Sequence, residues 1–151
     1  LKLTKAHEYL ESALKIYRDF DKQLWQANAL FYLGRTAQAK QKYAKAQEYF
    51  KQAMKIYSSV ASQQGQATVL YELGRTALFQ DQFLKAKELF EQSLEISRDI
   101  DNERGQAGSL SGLGRVAQLQ GQDAKAKEYR EQANRIYRKI NPEGYRITNN
   151  D

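Results

Sequence analysis

In 151 residues the chain has no cysteine and only one proline, one histidine and one tryptophan. Without cysteine there is no disulfide framework, no thiolate metal site and no thiol nucleophile. The same absence suits a cytoplasmic chain, the location expected of it. The single histidine, His7, lies on the first, incomplete helix and reads as a surface residue rather than a catalytic base, and neither a His/Asp/Glu set at metal-ligand spacing nor a nucleophile elbow is present. No apolar run approaches the roughly 18–20 residues that cross a bilayer, and no secretory leader pattern is visible. No phosphate-binding loop is present, and Gly112-x-Gly114 lies inside a helical pattern with no strand before it, so it is not a dinucleotide fingerprint. The expectation is a chain that is not an enzyme, with no catalytic residues, no cofactor, no metal site and no membrane segment. It opens on Leu1 without an initiator Met, as a piece of a longer chain would.

Near-absence of proline, with abundant Ala, Leu, Gln, Lys and Glu, points to an all-helical chain. Hydrophobic residues make up 41%, with ten Tyr and six Phe, which is too apolar and aromatic for disorder. The net charge is +6, unevenly spread. Residues 25–64 carry six Lys/Arg against one Glu, and residues 65–104 carry five against eight acids. An acidic middle argues against a continuous nucleic-acid track, while the overall sign admits acidic protein partners.

What is present is a repeat. Leu33-Gly34-Arg35 returns as Leu73-Gly74-Arg75 and Leu113-Gly114-Arg115, 40 residues apart each time. Aligning residues 26–65, 66–105 and 106–145 leaves twelve positions identical in all three, far above chance; in the first copy they run from Gln26 to Ile56. Residues 1–20 match the second half of a repeat. A fixed period of this length marks a stacked array in which each unit contacts only its neighbours.

Each repeat reads as two helices. Leu30, Leu33, Gly34 and Ala37 follow i, i+3, i+4, i+7, as do Ala46, Phe50, Ala53 and Tyr57 in the second half. The small residues Gly34 and Ala46 suit close approach of the paired helices. Helices are expected near 3–20, 22–40, 43–60, 62–80, 83–100, 103–120 and 123–140. Asp21 and Asp101 are expected as N-caps, Ser62 less clearly, and Gly121 as a C-terminal stop. The array thus spans 1–140: a half repeat (3–20), three repeats (22–60, 62–100, 103–140), then a polar, frayed tail at 141–151.

Leu30-x-x-Leu33-Gly34-x-x-Ala37 followed by Ala46-x-x-x-Phe50-x-x-Ala53 resembles the tetratricopeptide repeat over residues 3–140. Ala37, Ala77 and Ala117 stand where that family usually has Tyr, Arg130 replaces an aromatic, and no proline ends the second helix. The 40-residue period, longer than the family's usual one, is similar to kinesin light chain, Pins/LGN and bacterial regulatory types. The resemblance implies an all-α, right-handed superhelical solenoid of antiparallel helix pairs, and a protein-interaction scaffold with a concave groove lined by the first helices.

On those helices one face, distinct from the core stripe, carries Asn28, Phe31, Arg35, Gln38 and Lys42. The equivalents are Thr68, Tyr71, Arg75, Leu78 and Gln82, then Gly108, Ser111, Arg115, Gln118 and Gln122. Arg35, Arg75 and Arg115 would recur roughly every 10 Å. Their planar forks suit carboxylates, backbone carbonyls or phosphates of an extended or helical peptide, with Phe31 and Tyr71 as aromatic anchors. The same arginines equally suit bonds to a carboxylate or helix end inside the solenoid. Lys45, Glu48 and Gln52 read as a solvated face. Trp25 is expected to close the packing against the half repeat. Gly105, Gly108 and Gly112 form a stripe that either admits a ligand backbone, another part of the parent protein or a second copy, or reflects drift in a terminal repeat. The partner classes are therefore a protein or peptide of acidic character, a domain of the same longer protein acting as sensor or autoinhibitor, or another copy.

Overall fold

The computed structural model describes residues 2–20 and 22–147, apart from the side chains of 145–147. The 40-residue period resolves into two helices of 17 residues, each followed by a three-residue joint. The helices are α1 (Lys2–Asp19), α2 (Gln23–Ala39), α3 (Tyr43–Ser59), α4 (Gln63–Phe79), α5 (Phe83–Asp99), α6 (Glu103–Leu119), α7 (Asp123–Ile140) and α8 (Pro142–Ile147). Each of α1 to α7 packs on the next, and α2, α4 and α6 also touch in series. The result is an all-α solenoid of helix pairs, with no strand among the described residues.

One device makes the five joints from α2 to α7. At the end of α2, Gln41 adopts φ 58°. Its N–H donates to Gln38 O, and the Lys42 N–H donates to Ala37 O at 2.9 Å. This is the Schellman arrangement, in which a left-handed residue lets the chain turn back and satisfy the last carbonyls. It recurs at Ala61, Asp81, Asp101 and Gly121, with φ between 53° and 71°. Gly121 is therefore the stop the sequence suggests, and the only residue of the five that takes this conformation without strain. Asp101, expected as an N-cap, occupies the left-handed position instead. The cap is the next residue, Asn102, whose side chain accepts from the Gly105 N–H at 3.0 Å. Ser62 caps α4 through the Gly65 N–H. Asp21 lies outside the described residues.

The core is built on glycine–aromatic contacts between helices. Phe50 and Phe90 are fully buried. A Cβ on Gly34 would lie 2.5 Å from Phe50, and one on Gly74 2.9 Å from Phe90. In the third copy Arg130 stands in place of the aromatic, and a Cβ on Gly114 would meet only ordinary contacts at 3.4–3.5 Å. Between repeats, Tyr57 lies against Gly65, where a Cβ would sit 2.2 Å from its ring, and its hydroxyl donates to Asn28 Oδ1 at 2.6 Å.

Three expectations change. Gly105 and Gly112 are packing glycines: their missing Cβ atoms make room for Ser97 and for Phe90 of α5. Trp25 packs on Tyr17 with ring centroids 5.9 Å apart but stays more than half exposed. Part of the stretch read as a frayed tail is helical. Pro142 opens α8, where a missing N–H costs nothing, and Asn141 Oδ1 accepts from the Gly144 N–H. Residues 148–151 lie outside the described residues.

Candidate functional site

The recurring arginines diverge in their surroundings. Glu72 on α4 is almost completely buried and places one carboxylate between two of them. Arg35 Nε lies 3.6 Å from Glu72 Oε1, and Arg75 Nη1 lies 3.2 Å from Oε2. Arg75 also stands over the Phe79 ring, 5.7 Å from its centroid. Arg115 has Gly112 where Arg75 has Glu72, so it finds no carboxylate there; its Nη1 donates to Gln118 Oε1 at 3.1 Å. In place of the uniform ladder expected from the sequence, two arginines share one carboxylate and the third pairs only with a glutamine amide.

Other expected groove residues take up structural bonds. Phe31 is buried, its ring 5.9 Å from that of Phe50, so it is no surface anchor. Gln38 is buried as well and ties α2 to α4, its Nε2 donating to Glu72 O at 3.3 Å and Thr76 Oγ1 at 3.0 Å. Leu78 packs into the second core cluster. Asn28 holds the Tyr57 hydroxyl. Thr68 and Ser111 donate back to the carbonyls of Gln64 and Ala107 on their own helices. Lys42, Gln82 and Gln122 stand exposed at the N-cap positions of α3, α5 and α7. Tyr71 keeps one edge open beside Gly108 while its ring packs 5.6 Å from Phe90; burial pushes its hydroxyl pKa up.

What the structure does bring together is a depression of about 760 Å³ bounded by α1, α2, the start of α3 and α4. Arg35 and Arg75 lie in its wall with Tyr9, Tyr32, Tyr43 and Phe79. Tyr9 is 74% exposed, and Tyr32 and Phe79 about half, while Tyr43 stacks on Phe79 with rings 5.8 Å apart. Exposed aromatics around paired guanidinium groups are the residue types that dominate binding at protein interfaces. Tyr32 and Phe79 were missed in the sequence because they are not repeated. Tyr32 aligns with Glu72 and Gly112, and Phe79 with Ala39 and Leu119.

Compared with known families, the chain matches the tetratricopeptide repeat over residues 2–59 and 65–139. It belongs to the tetratricopeptide repeat family. Solved structures agree with this tetratricopeptide array in fold. BtubC (BKLC) from P. vanneervenii superposes over 93% of the chain, with a TM-score of 0.80 at 22% identity. RapI, in its apo form, covers 97% with a TM-score of 0.85 at 19% identity. A putative kinesin light chain from Podosopora anserina, described as having nearly identical TPR-like repeats, covers 92% with a TM-score of 0.67 at 25% identity. The array spans 58% of the BtubC chain, 54% of RapI and 69% of the kinesin light chain protein. No curated protein sequence matches it. Among the described residues no helix is long and apolar enough to cross a membrane.

Proposed function

We propose that the array is a non-enzymatic scaffold of the cytoplasm that binds a protein segment, extended or helical, across the groove face of α2, α4 and α6. The observation that carries this is the depression in which Tyr9, Tyr32 and Phe79 stand exposed around Arg35 and Arg75. The aromatic rings offer apolar area at low entropic cost. Glu72 cancels one of the two guanidinium charges, so the pair retains a single positive charge and prefers a partner with acidic side chains. Arg115 extends that preference along the array. Partner binding thus rests on Tyr32, Arg35, Arg75, Phe79 and Arg115, with Tyr71 further along; Phe31 and Gln38 act by holding the helices.

The test is fluorescence anisotropy with a library of labelled acidic and neutral peptides against wild type, Tyr32→Ala and Arg115→Ala. Both positions are exposed and Arg115 bonds only a surface glutamine, so melting should hold steady. Affinity for acidic peptides should fall by roughly tenfold for each change, the usual effect of removing an interface anchor. Unchanged affinity in both variants would remove this reading.

A second reading is favoured by one observation. Ile16, Phe20 and Trp25 are each more than half exposed near the joint between α1 and α2, and apolar surface at the end of an array invites stacking. The covering element would be a second copy or another part of a longer protein containing this array. Mass by light scattering across a concentration series, for wild type and Phe20→Glu, separates these cases: mass growth in wild type alone supports a second copy.

A further inference from the structure

The internal repeat shows what the depression beside α1 and α2 is shaped to hold. Within the array, α2 packs on both α3 and α4. Phe50 of α3 lies against Gly34 and Phe31 of α2. The Glu72 carboxylate of α4 meets Arg35, and Glu72 O and Thr76 Oγ1 accept from Gln38 Nε2. Forty residues earlier, the counterparts of Phe50, Glu72 and Thr76 are Leu10, Tyr32 and Thr36. All three line the 760 Å³ depression, as does Ala6, the counterpart of the fully buried Ala46.

The helix α1 packs on α2 as α3 packs on α4, yet no described helix packs on that pair as α2 does on α3 and α4. The difference is visible in exposure: Glu72 beneath α2 is 5% exposed, and Tyr32 in the same repeat position is 51% exposed. The polar fittings recur as well. Thr36 Oγ1 donates to Tyr32 O at 2.9 Å, as Thr76 Oγ1 donates to Glu72 O, so the acceptor pair that Gln38 uses on α4 is rebuilt on α2.

One fitting changes sign. On α4 the Glu72 carboxylate lies between Arg35 and Arg75, which brings those two guanidinium groups close together. On α2 the carboxylate is replaced by Tyr32. A helix seated there with an arginine in the register of the Leu-Gly-Arg triplet would bring it beside Arg35 with no carboxylate between them. An acidic residue in that register would pair with Arg35 directly.

We infer that the depression is a berth for a helix supplied by a partner protein, seated on α1 and α2 as α2 is seated on α3 and α4. That helix carries a small residue over Leu10, an acidic residue immediately after it beside Arg35, and a glutamine four positions after the small one, reaching Tyr32 O and Thr36 Oγ1. It is a helix-in-groove mode in which the array's own packing sets the register. This rests on the interaction reading above and narrows the bound segment to a helix of one pattern.

The probe is a synthetic peptide of residues 22–41 carrying Arg35→Glu, fluorescently labelled and titrated with the full chain by anisotropy. The expected result is saturable binding with Kd on the order of 10–100 μM, because a short helix must be ordered as it binds. The same peptide with its native Arg35 should bind at least roughly tenfold more weakly. Gly34→Leu in the peptide should also weaken binding at least roughly tenfold, although it favours the helix, and Gln38→Ala roughly threefold to fivefold. These changes lie in the peptide and leave the array's own fold untouched. In the full chain, Arg35→Ala should abolish the preference for the acidic peptide; that side chain is half exposed. No saturable binding, equal binding of a scrambled peptide, equal binding of the Gly34→Leu peptide, or a charge preference that survives Arg35→Ala would each overturn the inference. An acidic peptide interrupted by prolines that binds where the helical probe does not would remove the berth and leave the interaction reading standing; failure of both would remove both. Self-association, seen by light scattering and not reversed by the probe, would give this face to a second copy and overturn the inference.

Discussion

Replacing the glycine of each Leu-Gly-Arg triplet by alanine should give three different answers, although the triplets are identical. In a helix interior Gly→Ala gains about 0.8–1 kcal/mol from backbone propensity. Against that stands whatever the new methyl meets. At Gly34 it would lie 2.5 Å from the fully buried Phe50 ring, and Phe31 packs against the same ring. Overpacking of this kind costs about 1–3 kcal/mol, so Gly34→Ala should be net destabilising by about 1–2 kcal/mol. At Gly74 the nearest Phe90 atoms are 2.9 Å away. The ring must shift by less, but Gly112 backs it on α6, where a Cβ would be 2.7 Å away, so the cost should roughly cancel the gain. At Gly114 the methyl lies 3.4 Å from Tyr129 Cβ and 3.5 Å from Arg130 Cγ, ordinary contact distances, and the propensity gain survives. Gly114→Ala should therefore stabilise by about 0.5–1 kcal/mol, raising Tm by roughly 2–4 °C. Circular dichroism at 222 nm, with thermal and urea unfolding of the three variants in parallel, reads the order directly. Equal effects at the three sites, or a Gly114 variant less stable than the Gly34 variant, would refute the argument that the aromatic neighbour decides the sign.

Three further outcomes follow from features described above. Ala61 holds φ 54° at a joint, and Ala61→Gly should stabilise by about 0.5–1 kcal/mol, the relieved left-handed strain exceeding the extra unfolded-state entropy; a lower urea midpoint would contradict this. Glu72→Gln leaves Arg35 and Arg75 without their carboxylate, but both side chains are at least a third exposed and rehydrate. Stability should fall by about 1–2 kcal/mol, with the loss shrinking in high salt, while affinity for acidic peptides rises. The Tyr57 hydroxyl has its pKa pushed up to about 12 by burial. Its unfolded value is near 10, so the folded state holds the proton more tightly. The associated stability is complete below about pH 10 and is lost as pH rises toward 12, at up to about 1.4 kcal/mol per pH unit. Phenolate absorbance at 295 nm and helicity followed from pH 9 to 12 should change together, and Tyr57→Phe should flatten the helicity loss.

The solenoid was legible because its packing is repeated. Leu33, Gly34, Ala46 and Phe50 carry the helix period and recur in register, and the structure places them between paired helices as that pattern implies. The joints were legible only to within a residue. A left-handed conformation at Asp101 cannot be read from a residue type that also caps helices, and the cap moved to Asn102. The candidate surface was the least legible part. Identity among copies singles out positions with the same neighbours in every repeat, whereas a binding surface arises where neighbours differ. Glu72, Tyr32 and Gly112 occupy one repeat position and give three unlike surroundings to the same arginine. Reading substitutions within the repeat, rather than its invariants, would have pointed there.

The uniform joint has a consequence for how such a chain changes length. Excising residues 62–101 would splice Ala61, already left-handed, directly to Asn102, which caps α6 as Ser62 caps α4. Tyr57 would then meet Gly105, a residue as free of side chain as the Gly65 it normally covers. The shortened chain should keep its helical signal per residue, because the cut falls between interchangeable parts. A chain built this way can gain or lose whole helix pairs, because each joint presents the same geometry to whatever follows, while each copy remains free to diverge on its outer face.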